Sequence, residues 1–234
     1  MPVRVRFSLQ APNNFKGLVS NLASPLLFPP YKVFSMESYQ GIKFSVKFKK
    51  QYTHPECLFE ELNLWAWRLC QLGMTPVHSK GAYGNVSCRD NKFFLISKSG
   101  MIPEDTLNCD NFCRILSFDK RSQRFVVEGK HTPSSETIMH YLLYKKNPKI
   151  GAILHGHNQL LLSHTDVLGI PVTTEFFPYG TEELAQSAFE MVTLGHRFFQ
   201  LKDHGFVSVA PDIASAGQLC LQALQDLLRF LRLH

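Results

Sequence analysis

No stretch of the 234 residues approaches the roughly 20 apolar residues of a membrane-spanning helix, because Lys, His or Pro interrupts every long apolar run. The first ten residues, MPVRVRFSLQ, alternate in polarity where a secretory leader has an unbroken apolar core. None of the six cysteines, at positions 57, 70, 88, 109, 113 and 220, forms a Cys-x-x-Cys pair, which excludes a zinc knuckle or a dithiol redox motif. They read as buried or incidental thiols of a reducing compartment. There is no P-loop, no dinucleotide fingerprint, no RNA-binding signature, no internal repeat and no low-complexity tract. Acidic residues are almost missing from the first fifty positions, where Glu37 stands alone against eight Lys/Arg. That segment carries +7, and the other 184 residues carry a net −1. What remains is a soluble, cytoplasmic protein of globular composition, 44% hydrophobic and 19% charged, long enough for one α/β catalytic unit with an appendage.

The appendage is the basic segment. Val3, Val5, Phe7 and Leu9 alternate with polar residues, as do Ile42, Phe44, Val46 and Phe48 with Lys43, Ser45, Lys47 and Lys49, which predicts half-buried strands with one wet face. Pro25, Pro29 and Pro30 mark a loop between them. Residues 1–52 are therefore expected to form a basic, β-rich extension that packs on a main domain at 53–234. Leu58, Phe59, Leu62, Trp65, Ala66 and Leu69 recur at three and four, predicting an amphipathic helix that ends at Gly73. Short strands are expected at 93–96, 124–128, 150–154 and 206–209, and helices at 182–195 and 212–232. A further helix is expected to open at Thr132-Pro133 and to close at Lys145-Lys146-Asn147-Pro148.

His155-Gly156-His157 leaves a predicted buried strand, where side chains two apart share a face and can converge on one ion. The glycine between them relieves crowding there. His-x-His also occurs often by chance, so the pair alone does not decide the matter. His204, between Asp203 and Gly205 at a strand entrance, is the third candidate, and three His ligands leave a coordination position open, as in catalytic zinc sites. Thr132-Pro133-Ser134-Ser135-Glu136 brings two hydroxyls, backbone N–H groups and a carboxylate to a helix start, which suits phosphate; plain helix capping by the serines is the other reading. His140, one turn beyond Glu136, suits either metal ligation or a pairing with that carboxylate. Gly81-Ala82-Tyr83-Gly84-Asn85 and Ser97-Lys98-Ser99-Gly100 add glycine and hydroxyl turns that complete a phosphate cradle without an arginine.

In order, Gly-Asn-Val-Ser-x-Arg, Ser-Gly-Met, Pro-Ser-Ser-Glu with His four on, His-x-His, Pro-Tyr-Gly-x-x-Glu-Leu-Ala and Asp-His-Gly resemble the class II aldolase/adducin family, from about Leu58 to about Gln218. The resemblance implies a three-layer α/β/α domain around a mostly antiparallel sheet, assembled as a homotetramer with sites between subunits. It implies a zinc-dependent lyase acting on a phosphorylated sugar through a metal-stabilised enediolate, with zinc or another divalent ion on His155, His157 and His204. Glu136 becomes the acid/base that also ligates the metal when no substrate is bound. The substrate phosphate falls to Gly84, Asn85, Ser99, Gly100, Ser134 and Ser135. The tyrosine that the aldolases lend across the subunit interface falls near Phe176, which has no proton to give; Tyr179, close by, is a candidate in its place, with packing as its other role. A sugar-phosphate dehydratase, a pentulose-phosphate 4-epimerase and a non-catalytic adducin-like interaction domain share the same frame. Neither nucleic acid nor membrane is an expected partner.

Overall fold

The computed structural model describes residues 41–49 and 56–233. The alternating stretch at 3–9 and the prolines at 25, 29 and 30 lie outside the described residues. The first half of the fold comprises β1 (Ser45–Lys49), α1 (Glu56–Gln71), β2 (Val77–His78), β3 (Gly81–Ala82), β4 (Gly84–Asp90), β5 (Phe93–Ser97), β6 (Phe112–Asp119) and β7 (Arg124–Glu128). The second comprises α2 (Thr137–Lys146), β8 (Ala152–Gly156), α3 (Gln159–Leu162), α4 (Thr165–Leu168), α5 (Glu182–Thr193), β9 (Phe198–Gln200), β10 (Phe206–Ala210) and α6 (Ile213–Leu233).

Eight strands form one sheet in the order β1-β7-β6-β5-β4-β8-β10-β9. All neighbours run antiparallel except β1 and β7, which are parallel, Ser45 standing opposite Arg124. Because side chains alternate across a strand, the central strands feed two cores. Phe94, Ile96, Ile153, Val207 and Val209 pack with α2 and α5, whereas Leu95, Ala152, Leu154 and Phe206 pack with α1 and α6. Covering both faces gives the expected three-layer α/β/α arrangement around a mostly antiparallel sheet. It also explains why β8 and β10 are buried at every position and so show no alternation in the sequence.

The predicted spacing of apolar residues in α1 holds, and Phe59, Leu62 and Leu69 are fully buried. The helix stops where Gly73 takes a φ of 67°, a left-handed value that glycine adopts without strain. Where α1 crosses α6, a Cβ at Gly217 would lie 2.3 Å from the Trp65 ring, so this mid-helix glycine makes room for the indole. Its cost of about 1 kcal/mol relative to alanine is offset by the burial of Trp65. β1 sets Phe44 edge-on against Phe125 at 4.8 Å, while Phe48 at its far end is 47% exposed. Part of the expected basic extension is thus an edge strand of the main sheet. Cys113 and Cys220 are buried, and burial pushes both thiols up to about 12, where they are inert at neutral pH. No helix among the described residues is long and apolar enough to cross a membrane.

Candidate active site

β8 lies between β4 and β10, with His155 in register with Asn85 on one side and Val207 on the other. His155 is fully buried near the end of the strand, His157 follows just beyond it, and their Nε2 atoms are 3.0 Å apart. The turn between β9 and β10 delivers His204, whose ring stacks on that of His155 with centroids 5.2 Å apart. Asp203 takes a positive φ of 53° in this turn, a conformation that Asp reaches more readily than most residues. A Cβ at Gly205 would lie 2.7 Å from the His155 ring and 3.1 Å from that of His157, so only glycine admits the two imidazoles. The need for Gly156 differs from the expected one. A Cβ there would strike the Met74 carbonyl at 2.5 Å and the Phe206 ring at 2.7 Å, so its smallness serves packing behind the site rather than space around an ion.

Glu136 completes the group. Its Oε2 lies 2.9 Å from His155 Nε2 and its Oε1 2.7 Å from His204 Nε2, while Asn85 Nδ2 donates to Oε2 at 2.9 Å. Burial alone would raise this carboxyl, but the His155 and His204 imidazoles, through charge and hydrogen bonds, hold it well below the usual carboxylate range. His157 is driven the other way from a protonated state: burial and the neighbouring imidazoles hold it well below its ordinary value, leaving its lone pair available.

These four residues fit a metal ion. Their ligand atoms all lie within 4.8 Å of one another, as donors about 2.0–2.2 Å from one centre must. His155 Nδ1 donates to the Phe206 carbonyl at 2.8 Å, which fixes the ring with Nε2 facing His157 Nε2 and Glu136. Three imidazoles and one carboxylate converging on one point suit a divalent transition metal.

The expected helix start at Thr132-Pro133 is corrected by the structure, since α2 begins at Thr137 with Glu136 as its cap residue. Residues 132–134 are instead drawn into extended pairing with the end of β5: Lys98 bridges Pro133, and the Ser134 N–H donates to the Ser97 carbonyl at 3.0 Å. Tertiary pairing overrides the local cap signal, and the Glu136 side chain makes no capping bond and is left to the histidines.

The Gly-Asn-Val-Ser-x-Arg stretch owes its pattern to a match of two periods. Two residues along β4 advance about 6.7 Å and four residues along α2 about 6 Å, so alternate residues of the strand meet successive turns of the helix. Asn85 holds Glu136 at the helix start. Ser87 Oγ meets His140 Nδ1 at 2.7 Å and the Tyr144 hydroxyl at 2.8 Å, and Arg89 donates to the Tyr144 and Asn147 carbonyls at 3.0 and 3.2 Å, capping the helix end. His140 therefore belongs to this buttress and is not one of the four converging ligands.

A cavity of about 220 Å³ opens beside the metal group. All six expected phosphate residues, Gly84, Asn85, Ser99, Gly100, Ser134 and Ser135, line it together with Glu136, His157 and His204. Tyr179 lines it too, but its hydroxyl donates to the Gly41 carbonyl at 3.0 Å. Phe176 is 44% exposed and is not among the cavity residues. Lys80, Lys98 and Asp203 also face the cavity and were not singled out from the sequence as site residues, although their neighbours in glycine turns were the available signal.

A profile of the family described as Class II Aldolase and Adducin N-terminal domain matches residues 67–226. The chain is 29% identical over 182 residues to a 5-deoxy-D-ribulose 1-phosphate aldolase of Bacillus thuringiensis serovar kurstaki, covering 67% of this chain and 76% of that protein. It is 26% identical over 163 residues to an L-fuculose phosphate aldolase of Methanococcus maripaludis, covering 64% of this chain and 84% of the relative. In fold it is similar to a sugar-phosphate aldolase from Thermotoga maritima, with a TM-score of 0.61 at 20% identity over 75% of this chain and 95% of that one. On the family match and the similarity to these aldolases, the chain belongs to the class II aldolase and adducin N-terminal domain family and is an enzyme of the aldolase type.

Proposed function

We propose that this enzyme is a zinc-dependent aldehyde-lyase that breaks or forms a C–C bond in a phosphorylated sugar. The observation that carries this is the placement of the three-histidine and glutamate group and the hydroxyl-bearing turns around one cavity. Zinc fits the donor set, and when bound it supplies Lewis-acid stabilisation of the negative charge that develops on substrate oxygens. The protein does the rest. Gly84, Asn85, Ser99, Gly100, Ser134 and Ser135 hold the phosphate and so fix the distance from the anchored end to the reacting carbons. Glu136, ionised and on the cavity wall beside His204, takes the proton from the hydroxyl of the carbon that becomes the aldehyde. The bond to the neighbouring carbon then breaks, its electron pair passes towards the substrate carbonyl, and a proton returns to that carbon to release the ketone. Because Phe176 carries no proton, Glu136 does more of this work than a carboxylate aided by a tyrosine. The proposal carries with it a homotetramer, readable by light scattering.

The test is metal-loaded protein incubated with a panel of sugar phosphates, with dihydroxyacetone phosphate or another released ketone measured against time. Glu136→Gln keeps the shape and removes the base, so it should lose roughly 10²- to 10⁴-fold in kcat while still binding metal. No aldehyde from any substrate in the panel, or a Glu136→Gln enzyme as fast as wild type, would overturn the proposal. An epimerised sugar phosphate without aldehyde would move it to a 4-epimerase on the same frame.

A further inference from the structure

An ionised Glu136 only accepts hydrogen bonds, so the Asn85 amide must present Nδ2 to it and turn Oδ1 away. That Oδ1 is buried and has no partner among the described residues. One turn along α2, the Ser87 hydroxyl lies 2.7 Å from His140 Nδ1, and His140 Nε2 is likewise buried without a partner. Asn85 and Ser87 share a face of β4, and Glu136 and His140 share a face of the α2 end, so both unpaired atoms lie in one layer between strand and helix. The His140 ring is close enough there to feel the charge of both Glu136 and His155. The Thr75 hydroxyl is also buried without a partner, but it belongs to the other side of the sheet. Its methyl group would lie 2.5 Å from a Cβ at Gly84, the neighbour of Asn85, and successive residues of a strand point to opposite faces.

A neutral imidazole carries one N–H, on either nitrogen. With the proton on Nδ1, His140 donates to Ser87, and its Nε2 becomes an acceptor in the same layer as Asn85 Oδ1, which is another. Neither is then satisfied. With the proton on Nε2, every donor finds an acceptor: Tyr144 donates to Ser87, Ser87 to His140 Nδ1, His140 Nε2 to Asn85 Oδ1, and Asn85 Nδ2 to Glu136. Buried polar atoms left unpaired are costly, which favours the second arrangement. We propose that His140, as the Nε2–H tautomer, is a positioning residue that holds the Asn85 amide, directly or through one bound water, and so aims the Glu136 carboxylate at the substrate. This rests on Glu136 as the acid/base of the proposed reaction and adds what fixes it in place.

NMR of zinc-loaded protein with isotope-labelled imidazole nitrogens reads the tautomer without turnover, His140 being identified by the signals that His140→Gln lacks. At neutral pH its Nε2 should carry a proton in slow exchange with water, and its Nδ1 none. Ser87→Ala removes the hydroxyl that sets this tautomer and alters neither a metal-group residue nor a residue of the cavity wall. The slow Nε2 proton should then disappear and kcat should fall about 10-fold with KM unchanged, as expected when a group that acts in the transition state loses its alignment. A wild-type His140 protonated on Nδ1 overturns the proposal. So does a folded Ser87→Ala enzyme with kcat within about twofold of wild type, or with a loss confined to KM. If Ser87→Ala does not fold, the wild-type tautomer decides. Because that readout needs no catalysis, the His140 assignment can fail while the enzyme cleaves a sugar phosphate, and it stands or falls on the tautomer if no substrate of the panel is turned over.

Discussion

His140 is fully buried one turn from Glu136, with Nδ1 on the Ser87 hydroxyl and Nε2 without a hydrogen-bond partner. Burial, opposed by Glu136 and helped by His155, lowers its pKa from 6.5 to about 3. Above pH 6.5 the ring is neutral in both folded and unfolded chains and contributes nothing to the pH dependence of stability. As pH falls towards 3, the unfolded chain takes up a proton that the folded protein refuses, so stability declines by up to about 1.4 kcal/mol per pH unit. From pH 6.5 to pH 5 that is about 2 kcal/mol from one buried imidazole. His140→Gln, whose amide can still reach Ser87, should be less stable at pH 7 yet decline less between pH 7 and pH 5 in urea unfolding. Parallel declines in the variant and the wild type would refute the assignment.

At the scale of elements, β1 does more than extend the sheet. The residues leading into it grip the Pro178-Tyr179-Gly180 turn at the cavity wall: Lys43 Nζ donates to the Tyr179 carbonyl at 2.7 Å and lies 4.5 Å from the ring centroid, and Gly41 accepts from the hydroxyl. A hydroxyl committed to Gly41 holds a turn in place. Tyr179→Phe should therefore cost about 1 kcal/mol of stability and change kcat by no more than about threefold. A loss of kcat of about 10² or more with unchanged stability would make Tyr179 a proton carrier instead. Elements were legible in the sequence where one face met water or where an apolar run was short and bounded: β7 is found at 124–128 as expected, and α1 and α6 within two residues of the expected bounds. β4 was not read as a strand although Val86 and Cys88 alternate with Asn85, Ser87 and Arg89: the alternation is short and follows a glycine turn, and the polar residues face α2 across a buried surface instead of water. The start of α2 was misplaced for the reason that Thr132-Pro133 is a good local cap and a better partner for β5. At the site, the histidines and Glu136 converge from the expected positions, while the two cavity lysines had no periodic or motif signal of their own.

For the molecule as a whole, the metal group joins parts of the chain that are far apart, residue 136 at the start of α2, residues 155 and 157 at the end of β8 and residue 204 before β10. An ion that binds only this folded arrangement stabilises it by mass action, by about 2.7 kcal/mol when free metal is a hundredfold above Kd. Zinc should raise the Tm, EDTA should lower it, and His155→Ala should abolish the difference; a Tm indifferent to chelator in wild type would refute the site. The parallel pairing of β1 with β7 bears on synthesis. Ser45–Lys49 pairs with Arg124–Glu128, 79 positions later, and no strand partner lies nearer in the sequence among the described residues. At about 5–20 residues per second, translation leaves that segment waiting roughly 4 to 16 seconds for its partner. The same clock delays the metal centre further, since its last ligand, His204, emerges after β7, α2 and β8. A ribosome-bound chain halted before that point also lacks β10, which joins β9 to β8, and α6, which closes one core, so the catalytic centre and the last layer of the fold are completed together.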